Sequence, residues 1–303
     1  MKITIIGAGN VGANVAYALI LRQVCNEIVL IDTDEDRLIA RDLELGQSIA
    51  ALNLEIDLLC TKEYEPCKDS DVVIFCAGFP RKDGQSRNEL LQINTQIMLD
   101  CAKKLKAVVP NPLFIILTNP VDLLLNALYE SKLFDEKKIV AMAGILDNAR
   151  FKYELAKKFR CSYLDIDTQI IGFHNDDMVL LKSRSYYKNQ KIDKLLSEDE
   201  FEFIENEVKT GGAKVIKHLK ASAFLAPAVA CVRMIEAIRT GEFLVMSVIL
   251  NGEFGVKGKA FGVLARLDLN GVLEILNVNL SEEENAKLNE SLQKNNYLSE
   301  GKI

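Results

Sequence analysis

From the first residues to about residue 142 the chain alternates short apolar runs with segments of helical periodicity. Residues 3–6 (Ile3-Thr4-Ile5-Ile6), 28–31, 71–76, 113–117 and 139–142 are near-continuous apolar runs of strand length. Such runs mark strands buried on both faces of a parallel sheet. Residues 55–60 add a short alternating strand, and helical patterns fill the gaps at 13–21, 35–51, 88–106 and 121–129. Strand and helix in turn predict an α/β fold, a doubly wound parallel sheet of Rossmann type over residues 1–142. The 35–51 helix carries Leu38, Ile39, Leu43, Leu45, Ile49 and, just beyond it, Leu52 on more than one face. That suits either a helix with one face on the sheet and another on a partner subunit, or a well-buried helix of a single chain.

From about Ala143 the rhythm changes. A helix is expected from near Asp147 to about Phe159, then a strand pair at 168–173 and 178–181, and a charged amphipathic helix at 198–219. A small-residue-rich, nearly uncharged helix follows at 221–238, then strand-like segments at 244–250, 260–264 and 272–276. Ser281-x-x-Glu284 forms a capping box that opens a last polar helix. Residues 143–303 are therefore expected to form an α+β domain, joined without a Pro/Gly-rich linker.

The first strand–helix–strand unit carries a specific motif. Gly7, Ala8, Gly9, Asn10, Val11 and Gly12 form G-x-G-x-x-G, and Asp32 closes the second strand twenty residues past the last glycine. In such a unit the first glycine permits the sharp turn, the second lets backbone approach a pyrophosphate, and the third lets helix pack on strand. The helix N-terminus offers unpaired N–H groups to the phosphates. Asp32 would accept from a ribose 2′-OH and repel a 2′-phosphate, so the expected cofactor is NAD and not NADP. The uncharged stretch 3–21 also invites reading as a signal peptide or membrane anchor. Its interrupting glycines and asparagines, its single preceding Lys and its change of periodicity argue against that.

Composition changes little in this picture. Of 303 residues, 49% are hydrophobic and 26% charged, with a net charge of -6 and both signs mixed along the chain. No basic block suggests nucleic acid, and no polybasic segment suggests a membrane surface. The seven cysteines are odd in number and contain no C-x-x-C pair. Neither a zinc site nor a disulfide framework is indicated, and free thiols without a targeting segment imply the cytoplasm.

The candidate chemistry lies in loops at strand C-terminal ends, where open α/β sheets bind ligands: 7–12, 78–87 and 118–120. Of the two histidines, His218 sits on a lysine-rich helix face and is expected in solvent. His174 ends an apolar strand and precedes Asn175-Asp176-Asp177; a cap, a core residue and a catalytic base all fit that position. Asp147 and Arg150 share a helix face. They make either an intrahelical ion pair or a site in which Arg150 grips a carboxylate and Asp147 holds an imidazole. Arg81 and Arg87 flank a loop and are either solvated or able to close over an anion.

Taken together, Gly7 to Gly12, Asp32, residues 77–87 (AGFPRKDGQSR), 118–122 (TNPVD), 146–150 (LDNAR) and 172–176 (GFHND) resemble the lactate and malate dehydrogenase family over nearly the whole chain. The closer likeness is to its malate branch of the lactate-dehydrogenase-like type. The resemblance implies that His174 takes the hydroxyl proton, Asp147 orients it, Arg150 pairs with the substrate's C1 carboxylate, Arg87 polarises the ketone oxygen and Asn119 bonds the same region. It implies that Asn94 and the backbone of Leu117, Thr118 and Asn119 line the cofactor side. It also implies a homodimer or homotetramer acting on a small dicarboxylate, malate or oxaloacetate. Arg81 occupies the position that is Arg in malate enzymes and Gln in lactate enzymes, and a desolvated second carboxylate needs such a partner. Rival readings are a lactate dehydrogenase and a non-catalytic, NAD-sensing protein on the same fold. Three positions depart from the family: Asn175 stands for the usual Gly, Asp83 for Pro and Gln85 for Met. A left-handed backbone at Asn175 would make Asn the least costly non-glycine choice.

Overall fold

The computed structural model describes residues 1–79 and 87–299, the side chains of Arg87 and of residues 296–299 excepted. It divides into two units. Unit 1 holds Met1–Met142, Phe224–Glu242 and Arg266–Glu274, and unit 2 holds Ala143–Ala223, Phe243–Ala265 and Ile275–Ile303.

Unit 1 runs β1 (Lys2–Ile6), α1 (Asn10–Arg22), β2 (Glu27–Ile31), α2 (Glu35–Ala51), β3 (Asp57–Thr61), β4 (Val72–Phe75), α3 (Arg87–Val108), β5 (Leu113–Ile116), α4 (Val121–Glu130) and β6 (Ile139–Ala141). These strands pair in the order β3-β2-β1-β4-β5-β6, all parallel. The continuous apolar runs are the reason: Ile3, Ile5, Ile28, Val72, Ile74 and Ile115 are all 0% exposed, as strands covered on both faces must be. The order reverses between β1 and β4. That switch point opens a crevice at the strands' carboxyl ends, where β1 delivers the glycine loop and β4 delivers Ala77-Gly78.

Unit 2 holds α5 (Gly144–Phe159), the short strands β7 (Ile166–Asp167), β8 (Ile170–Ile171), β9 (Val179–Leu180), β10 (Tyr186–Tyr187) and β11 (Gln190–Lys191), and α6 (Glu198–Leu219). The chain then returns to unit 1 as α7 (Leu225–Thr240), which packs on α1. Small buried residues make the approach possible, Gly12, Ala13 and Ala16 on α1 and Ala228, Ala230 and Cys231 on α7. Arg22 pairs with Glu236 at 2.6 Å across the two helices. β12 (Leu244–Asn251), β13 (Lys257–Asp268), β14 (Gly271–Ile275) and α8 (Glu282–Ser299) complete the chain.

The expected strand pair at 168–181 is present but short: β8 and β9 are antiparallel, joined by a turn that carries His174. The core beneath it includes Phe151, Leu155, Ile170, Leu180, Phe201 and Val208, so α5 and α6 close over one face of the pair. Gly172 and Gly262 exchange backbone hydrogen bonds of 2.9 and 3.0 Å. A Cβ on Gly262 would stand 2.4 Å from the Gly172 oxygen, so only glycine lets β13 come this near the strand leading to His174. The small sheet β11-β10-β7 had no counterpart in the sequence pattern.

Candidate active site

The glycine loop of unit 1 has the form a dinucleotide needs. Gly7 takes φ +103°, a conformation that L side chains rarely adopt. A Cβ on Gly12 would lie 1.8 Å from the Gly7 carbonyl oxygen, so glycine there is what lets α1 start so close to the turn. At Gly9 an added Cβ meets nothing within 4 Å, and Gly9 gives α1 no side-chain cap. The first N–H groups of the helix are thus available for an anion.

Asp32, at the end of β2, accepts from the N–H groups of Ala8 at 2.7 Å, Thr33 at 2.8 Å and Asp34 at 3.1 Å, and from Arg37 Nη1 at 3.2 Å. Burial works to raise its carboxyl, but the Asp34 and Ala8 N–H groups and the Arg37 guanidinium outweigh burial and hold it below the usual carboxylate value. Asp32 is therefore an anion at neutral pH, tied directly to the glycine loop. These residues fit NAD: a cradle without side chains, an uncapped helix end and an ionised acceptor for ribose hydroxyls.

Asn94, on α3, is 0% exposed. Its Oδ1 accepts from Phe79 N–H at 2.9 Å, and its Nδ2 donates to the carbonyls of Phe79 at 3.3 Å and Asn119 at 3.2 Å. The side chain ties the strand-end loops after β4 and β5 together. Thr118 Oγ1 adds a bond of 2.8 Å to the Ala77 carbonyl. Leu117 extends β5 with a backbone bond of 2.9 Å to Phe75, and Asn119-Pro120 is a cis peptide. Arg81 lies outside the described residues, as do Asp83 and Gln85; Arg87 begins α3, its side chain likewise outside.

In unit 2 three sequence-expected residues converge. Asp147, on the first turn of α5, has a side chain only 2% exposed. Its Oδ2 lies 2.5 Å from His174 Nδ1, and its Oδ1 accepts from Arg150 Nη1 at 2.9 Å. A buried carboxylate needs such partners, and this one divides its two oxygens between a histidine and a guanidinium. The geometry commits His174 Nδ1 to Asp147. His218 is exposed, as expected.

Two further features differ from the sequence expectations. Gly211 and Gly212 lie in the interior of α6, where glycine costs about 1 kcal/mol each relative to alanine. Arg150 lies against them: a Cβ on Gly211 would be 3.3 Å from Arg150 Cδ, and one on Gly212 would be 3.4 Å from Nη2. A glycine pair inside an otherwise good helix pattern was the available signal. Asn175 does not take a positive φ. Its side chain is used instead, accepting from Asp177 N–H at 2.8 Å in an Asx turn and donating to Asn295 Oδ1 at 2.8 Å.

Residues 1–141 match the family described as lactate/malate dehydrogenase, NAD binding domain, and residues 145–297 match lactate/malate dehydrogenase, alpha/beta C-terminal domain. A probable malate dehydrogenase of Campylobacter jejuni is 68% identical over 300 residues, covering 99% of this chain and 100% of the relative. The solved malate dehydrogenase of Aeropyrum pernix superposes with a TM-score of 0.94 at 30% identity, covering 99% of this chain and 97% of its own. The minor L-lactate dehydrogenase of Enterococcus mundtii superposes equally well, with a TM-score of 0.94 at 28% identity over 100% of this chain and 98% of its own.

Proposed function

The chain belongs to the lactate/malate dehydrogenase family, and from that premise we propose that it catalyses the reversible, NAD-dependent oxidation of (S)-malate to oxaloacetate. The observation that carries a catalytic reading is the Asp147 carboxylate shared between His174 and Arg150. A protein that only sensed NAD would have no use for a base with a buried counter-ion and a cation beside it.

NAD, when bound at the glycine loop and Asp32, supplies the acceptor for the hydride leaving C2 of the hydroxy acid. His174 Nε2 takes the hydroxyl proton as the C2–O bond becomes a carbonyl. Asp147 keeps the Nδ1 proton on the opposite ring atom and stabilises the imidazolium that results. In reduction the same imidazolium returns the proton. Arg150 presents one nitrogen to Asp147, and its planar fork, with five N–H donors, still offers a bidentate pair to the C1 carboxylate. Gly211 and Gly212 leave room for that fork. Arg87 and Asn119 are assigned to the ketone oxygen.

Arg81 is assigned to the second carboxylate, and this assignment separates malate from lactate chemistry. The fold does not, since malate and lactate enzymes superpose equally well. Pyruvate would leave Arg81 desolvated and unpaired, so with NADH the kcat/KM for oxaloacetate should exceed that for pyruvate by on the order of 10³-fold or more. Arg81→Gln should shift the ratio toward pyruvate. Equal rates in the natural chain, or a ratio untouched by the substitution, would refute the assignment.

Residues 1–142 serve as the cofactor domain and 143–303 as the substrate domain, α7 being lent back to the first. The active form is a homodimer or homotetramer. On α2, Leu38, Leu45 and Ile49 are buried while Ile39 is 55% and Leu43 is 56% exposed, which supports a partner copy on the second face. All seven cysteines are free, in keeping with a reducing cytoplasmic setting.

A further inference from the structure

His174 sits at the centre of a tight turn. The Asn175 N–H donates to the Phe173 carbonyl at 2.8 Å across it, and Met178 N–H donates to the Asn175 carbonyl at 3.2 Å. The side chains after the histidine extend this into a closed circuit. Asp177 N–H donates to Asn175 Oδ1 at 2.8 Å, Asn175 Nδ2 to Asn295 Oδ1 at 2.8 Å, and Asn295 Nδ2 to Asp177 Oδ2 at 3.1 Å. Asn295 is 6% exposed and uses its second amide hydrogen on the Ser291 carbonyl, one turn back along α8, at 2.9 Å.

Helix α8 is itself held at its other end. Glu284, 4% exposed, accepts from Ser183 N–H at 2.9 Å, Ser183 Oγ at 2.7 Å and Ser281 N–H at 2.8 Å. About one turn further on, Lys287 pairs with Glu205 of α6 at 3.3 Å. The helix is thus a strut fixed at its start, with Asn295 near its far end reaching the histidine turn.

From this arrangement we propose that the Asn175–Asn295–Asp177 ring sets the position of the His174 turn, which makes Asn295 a positioning residue for the base. The inference rests on the dehydrogenase reading above. Asp147 fixes the imidazole through Nδ1, and the ring fixes the backbone from which the imidazole hangs. Apolar side chains would serve equally well to dock a helix. A closed polar ring instead selects one geometry, because its hydrogen bonds are directional and hold only when donors and acceptors face one another. The 2.5 Å contact of His174 Nδ1 with Asp147 requires placement of that quality.

The test exchanges donor and acceptor within the ring. Asn295→Asp sets a second carboxylate against Asp177 and removes the donor between them. Adding Asp177→Asn restores it in the opposite direction. The single variant should lose about 10- to 100-fold in kcat, the cost of small misplacement of a catalytic group. Its KM for NADH should be unchanged, because the glycine loop is untouched. The double variant should recover to within a few-fold of the natural chain. Asn175→Ala, which opens the ring but leaves α8 bonded to Asp177, provides a second case should Asn295→Asp not fold, and should lose kcat in the same way.

A lowered melting temperature with natural kcat in Asn295→Asp and Asn175→Ala would mean that the ring only holds the fold, and would overturn the proposal. So would a loss in kcat that the exchange fails to reverse while Asn175→Ala, which keeps the Asn295 bond to the Ser291 carbonyl, retains the natural kcat. Failure of the dehydrogenase reading would look different, as absence of turnover in the natural chain. The ring can still be judged in that event, because the chain has only two histidines. Labelled-histidine NMR should then show the His174 ring resonances shift in Asn295→Asp and return in the double variant, with His218 as internal reference. Unmoved His174 resonances would overturn the proposal.

Discussion

Replacing Asp147 by Asn should damage the reaction more than replacing it by Ala, and Arg150 is the reason. The carboxylate presents Oδ1 to Arg150 and Oδ2 to His174 Nδ1. A guanidinium has donors only, so an introduced amide must turn its oxygen toward Arg150 and its NH₂ toward the histidine. That NH₂ donates to Nδ1 and drives the ring proton to Nε2, the atom that has to accept the substrate's proton. In Asp–His pairs of this kind the wrong tautomer costs on the order of 10⁴-fold in kcat. Alanine imposes no tautomer. It removes a charge-assisted hydrogen bond worth about 1.5–3 kcal/mol, or roughly 10- to 150-fold at 1.4 kcal/mol per decade, together with whatever Arg150 loses. Malate oxidation followed by NADH absorbance at alkaline pH is the sensitive assay, since it requires neutral His174 with Nε2 unprotonated. An Asn variant more active than the Ala variant would refute the claim that Arg150 dictates the orientation at residue 147.

Gly211→Ala should raise helix stability by about 1 kcal/mol through propensity, yet its Cβ would stand 3.3 Å from Arg150 Cδ. The expected result is a higher melting temperature with a several-fold higher KM for oxaloacetate; an unchanged KM would mean that Arg150 is not held by its contact with α6. Asp32 has a depressed carboxyl pKa in the fold. Its contribution to stability is therefore fully present above the unfolded value of about 3.9 and is lost as pH falls through the lower folded value. The melting-temperature deficit of Asp32→Asn should be full at neutral pH and shrink in acid. A deficit independent of pH would place its cause in packing, and the same variant should also weaken NAD binding.

Much of unit 1 was legible because parallel strands buried on both faces leave continuous apolar runs, and 72–75 and 113–116 proved buried throughout. The double-faced pattern of α2 survives as one buried and one exposed apolar stripe. The return of α7 to unit 1 was not legible. A run of alanines and a cysteine says that a helix is buried, but small side chains carry no register that names the surface they cover. The two-residue strands β7, β10 and β11 are too short to express any period. Their hydrogen bonds follow from tertiary packing and not from local preference.

Asp147 and Arg150 have one contact that sequence spacing expresses and one that it does not. Their spacing of three residues predicted an intrahelical ion pair, and the pair exists at 2.9 Å. An ion pair does not exclude a second partner for the same carboxylate. A carboxylate has two oxygens, and this one spends the first locally and the second on a histidine twenty-seven residues away. Only the first contact leaves a trace in sequence spacing. The second depends on β8 ending where it does, which depends in turn on Gly172 meeting Gly262, and on a turn whose far bond is made 120 residues away at Asn295. Contacts of that separation have no periodicity to betray them, and family likeness could recover only the part that relatives share. The resemblance places Gly where this chain has Asn175, and glycine has no side chain to reach Asn295. The ring was therefore outside the reach of both local pattern and resemblance.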